Sequence, residues 1–194
     1  MIQLLPMMMY CFVMSITPGP NNMLLTASGA NFGYRMTLPQ ILGIVAGGFV
    51  LTIVSCAGLG SLFLAWPAAQ VALKFGGAAY LVFLSWQLAR TRVGEARSLK
   101  PQSFAEGALF QAFNPKSWVK SITLASAFMP VGASPAAAAM WIATISAVIG
   151  FPCVSMWALF GVAIRGFLKQ PRNQRVFNLL MAATLLALAV TFVR

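Results

Sequence analysis

Apolar residues occupy long blocks of this chain, and short polar stretches separate the blocks. A membrane-spanning helix needs about 20 consecutive, mostly apolar residues, and the blocks have that length. They predict six spans with approximate ends, at residues 4–28, 38–65, 71–89, 106–130, 136–164 and 176–193. The expected fold is therefore an all-α, polytopic membrane protein with one transmembrane domain over residues 1–194.

The composition supports a membrane location. Of the 194 residues, 60% are hydrophobic and only 8% are charged, whereas about 25% of a soluble protein is charged. The net charge is +11, but the basic residues are scattered between apolar blocks and do not form one patch. They are typical of topology signals and lipid headgroup contacts. We expect the lipid bilayer as a partner and no nucleic acid.

The basic residues also predict an orientation. Three connections carry most of the positive charge, with Arg35 in the first, Arg90, Arg92, Arg97 and Lys100 in the second, and Arg165, Lys169, Arg172 and Arg175 in the third. The positive-inside rule places these connections in the cytoplasm and both termini on the other side. The first residues contain no basic stretch, so the first block is expected to remain in the mature protein. A five-span variant with a re-entrant first block is the alternative.

The two halves of the chain contain similar positions. Gly48-Phe49 corresponds to Gly150-Phe151, and the same spacing relates Phe75 to Phe177. Each half, about 1–97 and 98–194, holds three predicted spans. An odd number of spans inverts the second copy, so the pattern predicts two inverted three-helix repeats, as in many secondary transporters. Chance matches between apolar sequences are the alternative interpretation.

Two motifs that contain proline interrupt apolar blocks: TPGPNN at residues 17–22 in the first block, and FNPKSW at residues 113–118 in the fourth. Proline lacks an N–H group and clashes with the preceding turn, so both motifs predict broken helices. A break inside a membrane persists only where it faces protein, water or substrate. The second half of each broken helix begins with free N–H groups and a partial positive charge.

Polar side chains are expected at both of these helix starts: Asn21 and Asn22 in the first, and Lys116 and Ser117 in the second. Amides and an ammonium suit a carboxylate, and free carbonyl groups suit an ammonium. The pattern predicts a site for the backbone groups of an amino acid. Two alternatives stay open: proline kinks that only shape packing, and a Lys120 that shares a face with Lys116 but faces water without touching substrate.

Few residues could perform other chemistry. The chain has two acidic residues, Glu95 and Glu106, and no histidine. Without an evident acid at mid-membrane depth, the substrate side chain is expected to be neutral, and Glu106 is the nearest candidate for ion coupling. The three cysteines are far apart and lack CxxC spacing, so we expect no metal site, no cofactor and no catalytic residues.

Four stretches, TPGPNN, SGANFGYR, GGAAYLVFLSWQLA and FNPK, resemble the LysE/RhtB family of amino-acid exporters, and the resemblance covers nearly the whole chain. It implies efflux of amino acids or derivatives across a bacterial inner membrane, driven by an ion gradient. The candidate substrate-binding residues are then Thr17, Pro18, Gly19, Pro20, Asn21 and Asn22 at the first break, and Asn114, Pro115 and Lys116 at the second.

The resemblance also narrows the range of expected substrates. The chain is most similar to the cysteine/O-acetylserine exporter branch, and it has Gly47-Gly48 where many exporters of basic amino acids have a Gly-Asp pair. We predict a secondary exporter of small neutral amino acids or derivatives, such as cysteine, O-acetylserine, or homoserine and threonine. The alternatives are an exporter of another small solute or cation, or a channel-like protein. The oligomeric state is open, with a homodimer among the alternatives.

Overall fold

The structure, a computed structural model, describes residues 4–59, 65–90, 101–130 and 134–193. Within these ranges the chain forms helices and no strand. The helices are α1 (Leu4–Ile16), α2 (Pro20–Phe32), α3 (Tyr34–Val54), α4 (Pro67–Arg90), α5 (Phe104–Phe113), α6 (Pro115–Ala127), α7 (Pro135–Ala163) and α8 (Pro171–Val193). A π-helical segment, Ser55–Leu59, extends α3, and a 3-10 turn, Phe167–Lys169, precedes α8. The all-helical fold class is confirmed for the described chain.

Within the described residues, helix forms most of each of the six predicted blocks, and the first and fourth are split as predicted. Residues 60–64 of the second block lie outside the described residues. The first break covers Thr17 to Gly19, and the second consists of Asn114 alone. By length and composition, two described helical stretches are long and apolar enough to cross a membrane, Tyr34–Gly58 and Pro135–Ala163. Six complete spans and the inverted relation between the halves therefore stay predictions. The basic connection at 91–100, including Glu95, lies outside the described residues.

Helix boundaries follow from local sequence. Five of the described helices begin with proline, which has no N–H group to leave unpaired in the first turn and a backbone angle suited to helix. Helix α5 instead begins with a capping box. The hydroxyl oxygen of Ser103 accepts from the backbone N–H of Glu106 at 3.2 Å, and the Glu106 carboxylate accepts from the Ser103 N–H at 2.7 Å. Between α2 and α3, Gly33 adopts φ 83°, a conformation that favours glycine.

Glycines bring helices from the two halves into backbone contact. A Cβ atom at Gly29 of α2 would meet the backbone of Ala158 in α7, and one at Gly161 would meet the backbone of Thr26. A Cβ at Gly43 of α3 would likewise meet the backbone of α5. Small residues permit such close crossing of helices in membranes, where packing replaces the hydrophobic effect as the main attraction. The breaks in both halves are thereby held near each other.

The distribution of polarity suits a lipid environment. Large apolar side chains point outward, including Leu5, Leu109 and Val148 with 65–68% of their surface exposed. Polar side chains are buried inside, among them Asn114 and Asn178, which are at most 2% exposed. A soluble protein does not expose so extensive an apolar surface. The interior therefore offers polar groups to a site, and the exterior offers apolar groups to lipid.

Three polar segments meet at one end of the bundle. Gln174 donates to the Asn31 side chain at 3.0 Å, which joins the start of α8 to the end of α2. Gln40, near the start of α3, donates to Gln102 at 2.6 Å. Arg165 reaches toward the α2–α3 turn. The described parts of the three basic connections thus share one end of the bundle, which the predicted orientation requires.

Candidate functional site

The first break leaves carbonyl groups at the end of α1 without helical partners, and side chains supply the missing donors. The Asn22 amide donates to the carbonyl oxygens of Ser15 at 2.9 Å and Thr17 at 2.8 Å. The Trp157 indole donates to the carbonyl of Ile16 at 3.0 Å. Asn22 is almost fully buried. It therefore acts as a structural bridge across the break as well as a member of the predicted site.

Lys116, from the other half of the chain, supplies further hydrogen-bond donors to the first break. Its Nζ donates to the carbonyl oxygen of Thr17 at 2.9 Å, to the Thr17 hydroxyl at 2.8 Å and to the carbonyl oxygen of Pro18 at 3.2 Å. An ammonium has three N–H donors, so all three are used. The sequence predicted that carbonyls at the break would be free to accept hydrogen bonds from a substrate's ammonium group. In the structure the protein's own Lys116 ammonium donates to these carbonyls.

A pair of amides links the two breaks. The Asn21 amide donates to the side-chain oxygen of Gln111 at 2.9 Å, and the Gln111 amide donates back at 3.3 Å. The Ser117 hydroxyl also donates to Gln111 at 2.7 Å. At the second break, the Asn114 side chain accepts from the Lys116 backbone N–H at 3.1 Å and caps α6. The start of α6 is thus capped internally, whereas Gly19 at the start of α2 has no side chain to do so.

Lys120 lies one turn after Lys116 and has fewer partners. Its Nζ donates to the Ser15 hydroxyl at 3.0 Å, and no other hydrogen bond to it occurs in the described part of the chain. A Cβ atom added to Gly150 would lie 3.9 Å from this Nζ. Lys120 is partly buried. Two of its N–H donors therefore remain without a protein acceptor among the described residues.

Both lysines border one cavity between the broken helices, α3 and α7. Its space for the centre of a water-sized molecule is about 80 Å³, and one water needs roughly 10–15 Å³ by that measure, so several waters or one small solute fit. Its polar lining consists of Ser15, Asn21, Asn22, Thr52, Gln111, Asn114, Lys116, Ser117, Lys120, Ser121 and Ser146. No carboxylate belongs to this lining within the described residues.

Most predicted site residues gather at this cavity. Those in its lining are Gly19, Pro20, Asn21, Asn22, Asn114 and Lys116. Thr17 and Pro18 are joined to it through their contacts with Lys116. Pro115 lies outside the lining and begins α6. Glu106 also lies outside the lining, exposed and engaged in the α5 cap, so this position lends no support to a role in ion coupling.

Several lining residues were missed by the sequence reasoning. They include Gln111 and the pair formed by Thr52 and Ser121, whose hydroxyl oxygens lie 3.2 Å apart. Gln111 and Thr52 are single polar residues inside apolar stretches, whereas Ser121 directly follows Lys120. A lone polar residue in an apolar stretch was the sequence feature that could have indicated a place in the cavity lining. The repeat comparison did find two lining positions, since Gly48 and Gly150 both border the cavity. Their small size keeps space open beside Lys120 and the broken helices.

Known proteins resemble this chain over nearly its whole length. The family model for the LysE type translocator matches residues 12–194. Cysteine/O-acetylserine efflux proteins from Escherichia coli, Shigella flexneri and Shigella sonnei are each 31% identical to this chain over 183 residues, which covers 93% of this chain and 92% of each relative. No solved structure gives a significant match.

Proposed function

The chain belongs to the family of LysE type translocators, which are membrane transporters and not enzymes, and on that premise we propose that it exports small neutral amino acids or their derivatives. Cysteine, O-acetylserine, and homoserine or threonine are the proposed substrates. One observation carries this proposal: a small cavity lies where two broken helices meet, and it is lined by amides, hydroxyls and two ammonium groups.

The depth of the cavity suits a transport site. Helices α1 and α2 have 13 residues each, or about 20 Å at roughly 1.5 Å per residue, and the break lies between them. The hydrocarbon core of a bilayer is about 30 Å thick. We therefore propose a substrate site near the middle of the membrane, in the cavity where the segments from Thr17 to Asn22 and from Asn114 to Lys116 meet.

The charge of the lining supports neutral substrates. Lys116 and Lys120 border the cavity, and no acid does so among the described residues. A second cation at about 8 Å from one ammonium costs roughly 2 kcal/mol at an effective dielectric constant of about 20, which corresponds to more than tenfold in affinity. Lysine and arginine as substrates would bear this cost, whereas a neutral side chain would not.

The proposed architecture is a pair of inverted three-helix repeats in a bacterial inner membrane, with the basic connections in the cytoplasm. In each half the broken helix resumes with a proline, Pro20 in α2 and Pro115 in α6, and Gly48 and Gly150 occupy matching places on the cavity. Binding at the interface of such repeats permits access from alternate sides. An ion gradient is the proposed energy source.

Export from loaded vesicles tests this function. Purified protein is reconstituted into liposomes that contain radiolabelled threonine or O-acetylserine, and efflux is measured with unlabelled competitors inside. We expect competition by cysteine and other small neutral amino acids and little by lysine or arginine. Unlabelled substrate outside should accelerate efflux, as for a carrier and unlike a channel. Strong inhibition by lysine, with none by neutral amino acids, would contradict the proposal.

A further inference from the structure

We propose that Lys120 binds the carboxylate of the transported solute, whereas Lys116 closes the first helix break and does not hold the solute. This inference rests on the proposed export function, which supplies a solute bearing a carboxylate. Sequence reasoning favoured Lys116 for that role because it directly follows the second break. The hydrogen bonds inside the cavity assign the role to the next lysine instead.

Lys116 has no free donor for a ligand. Its three N–H groups meet the carbonyl oxygens of Thr17 and Pro18 and the Thr17 hydroxyl, at 2.8–3.2 Å. To bind a carboxylate, the ammonium would have to leave the Pro18 carbonyl, which has no other donor among the described residues, and the Thr17 carbonyl, which would keep only the Asn22 amide. Unpaired backbone groups are costly inside a membrane. All the hydrogen-bond donors of the Lys116 ammonium are therefore used within the protein.

The amides of the cavity also make hydrogen bonds within the protein. Asn21 and Gln111 bond to each other, Asn22 bridges two carbonyls of the first break, and Asn114 caps α6. Asn21 and Asn114 keep N–H groups without an acceptor among the described residues, but these groups are neutral. Among the charged side chains of the described lining, only Lys120 keeps unused donors, since its single hydrogen bond goes to Ser15.

The surroundings of Lys120 leave room for an anion. Gly150 of α7 and Ser15 of α1 lie beside its Nζ, and Ser146 borders the same cavity. The first turn of α2, which Gly19 cannot cap, also faces the cavity and adds a partial positive charge. An ammonium without a counter-ion is expensive inside a membrane protein. A solute carboxylate provides that counter-ion, and the Ser15 hydroxyl can rotate to donate to it.

A matched pair of variants separates the two lysines. Lys120→Met and Lys116→Met each remove one positive charge from the cavity, so they alter its overall charge equally. In reconstituted full-length protein, threonine and its uncharged-carboxyl analogue threoninamide compete against labelled threonine. We expect Lys120→Met to reduce the preference for the acid by about tenfold or more, the scale of a lost hydrogen bond to a charged group. Lys116→Met should change this preference by less than about threefold.

Lys120→Arg should keep part of the preference because it retains the charge with a different donor geometry. An unchanged acid preference in Lys120→Met, or an equal loss in Lys116→Met, would overturn the assignment. If a variant transports too slowly to measure, the thermal unfolding of the purified protein with threonine or threoninamide gives the same comparison. A stabilisation by threonine that survives in Lys120→Met would also overturn it.

A simple carboxylate distinguishes this inference from the proposed function. Propionate carries the anion without an amino group, and its stabilisation of the wild-type protein should disappear in Lys120→Met. If propionate behaves so but no amino acid is exported, the export function fails and the Lys120 assignment stands. If amino acids are exported with a preference that is independent of Lys120, the function stands and the assignment fails.

Discussion

The Nζ of Lys116 lies 2.9 Å from the carbonyl oxygen of Thr17, 99 residues earlier in the chain. A side chain from one half of the protein thereby closes the broken helix of the other half. The Asn21–Gln111 pair joins the same two regions. Because these contacts meet at the cavity, changes in how the halves pack would directly alter the site.

Lys116→Ala is expected to nearly abolish efflux and to lower stability. The change removes three hydrogen bonds and leaves the Pro18 carbonyl without a donor among the described residues, while the Thr17 carbonyl keeps the Asn22 amide. An unsatisfied group costs about 1–3 kcal/mol where it is buried. Lys116→Arg should rescue partly. Vesicle efflux and thermal unfolding measure both effects. Thr17→Val is the control because it removes the hydroxyl but keeps the carbonyl, and its loss should be smaller. Wild-type efflux in Lys116→Ala would refute this role.

Asn21→Ala and Gln111→Ala should be energetically coupled. Their side chains form two mutual hydrogen bonds, so the double variant should lose less stability than the sum of the single losses. Contacting residues couple by about 0.5–3 kcal/mol, and a thermal-unfolding cycle in detergent measures this. Thr144→Ala is the control partner, since Thr144 is exposed and bonds within its own helix. If the coupling energy between Asn21 and Thr144 were as large as that between Asn21 and Gln111, the result would contradict a specific interaction between Asn21 and Gln111.

Gly161→Val should destabilise the protein by about 1–3 kcal/mol, the usual range for overpacking. The new side chain would press on the backbone of Thr26, which cannot rotate away as a flexible side chain can. We expect a lower melting temperature and a lower yield of folded protein. Gly166→Ala is the matched control because a Cβ there meets nothing within 4 Å. Equal melting temperatures for the two variants would mean that α2 and α7 do not cross as described.

Glu106→Gln should leave stability and gradient-driven efflux unchanged. Glutamine can replace glutamate in a capping box, so the α5 cap with Ser103 is kept while the carboxylate is removed. Efflux is measured in proteoliposomes with and without an imposed pH gradient. Loss of the response to the gradient, with the melting temperature unchanged, would instead show that Glu106 takes part in proton coupling.

The predicted orientation is tested by cysteine labelling at Ala136 and Gln170, which are exposed. Ala136 lies in the first turn of α7, beside the connection around Pro130 that has no charged residue, and Gln170 lies in the basic connection before α8. In a background without the native cysteines, an impermeant reagent should label Ala136→Cys in intact cells and Gln170→Cys only after permeabilisation. The reverse pattern would invert the topology. Two further labelling positions suggested by the sequence, Ser98 and Ala133, lie outside the described residues.

The sequence determined the features that depend on neighbouring residues alone. The missing N–H of Pro20 and Pro115 and the apolar lengths around them predicted two broken helices, and the structure resumes helix at both prolines. Isolated polar residues such as Gln111 were visible in apolar blocks, but their partners were not. The sequence placed Lys116 near a break but gave no sign of the groups that its ammonium contacts.

Only the tertiary structure decided which groups meet. Lys116 turns toward Thr17 and Pro18, whereas Lys120, one turn later, turns toward Ser15 and the open cavity. Spacing along a helix shows that two residues share a face. It does not show which groups of the neighbouring helices each residue contacts. That depends on the separation and rotation of the helices, which backbone contacts such as that between Gly161 and Thr26 set. The distinction between the two lysines is therefore a property of packing between the halves.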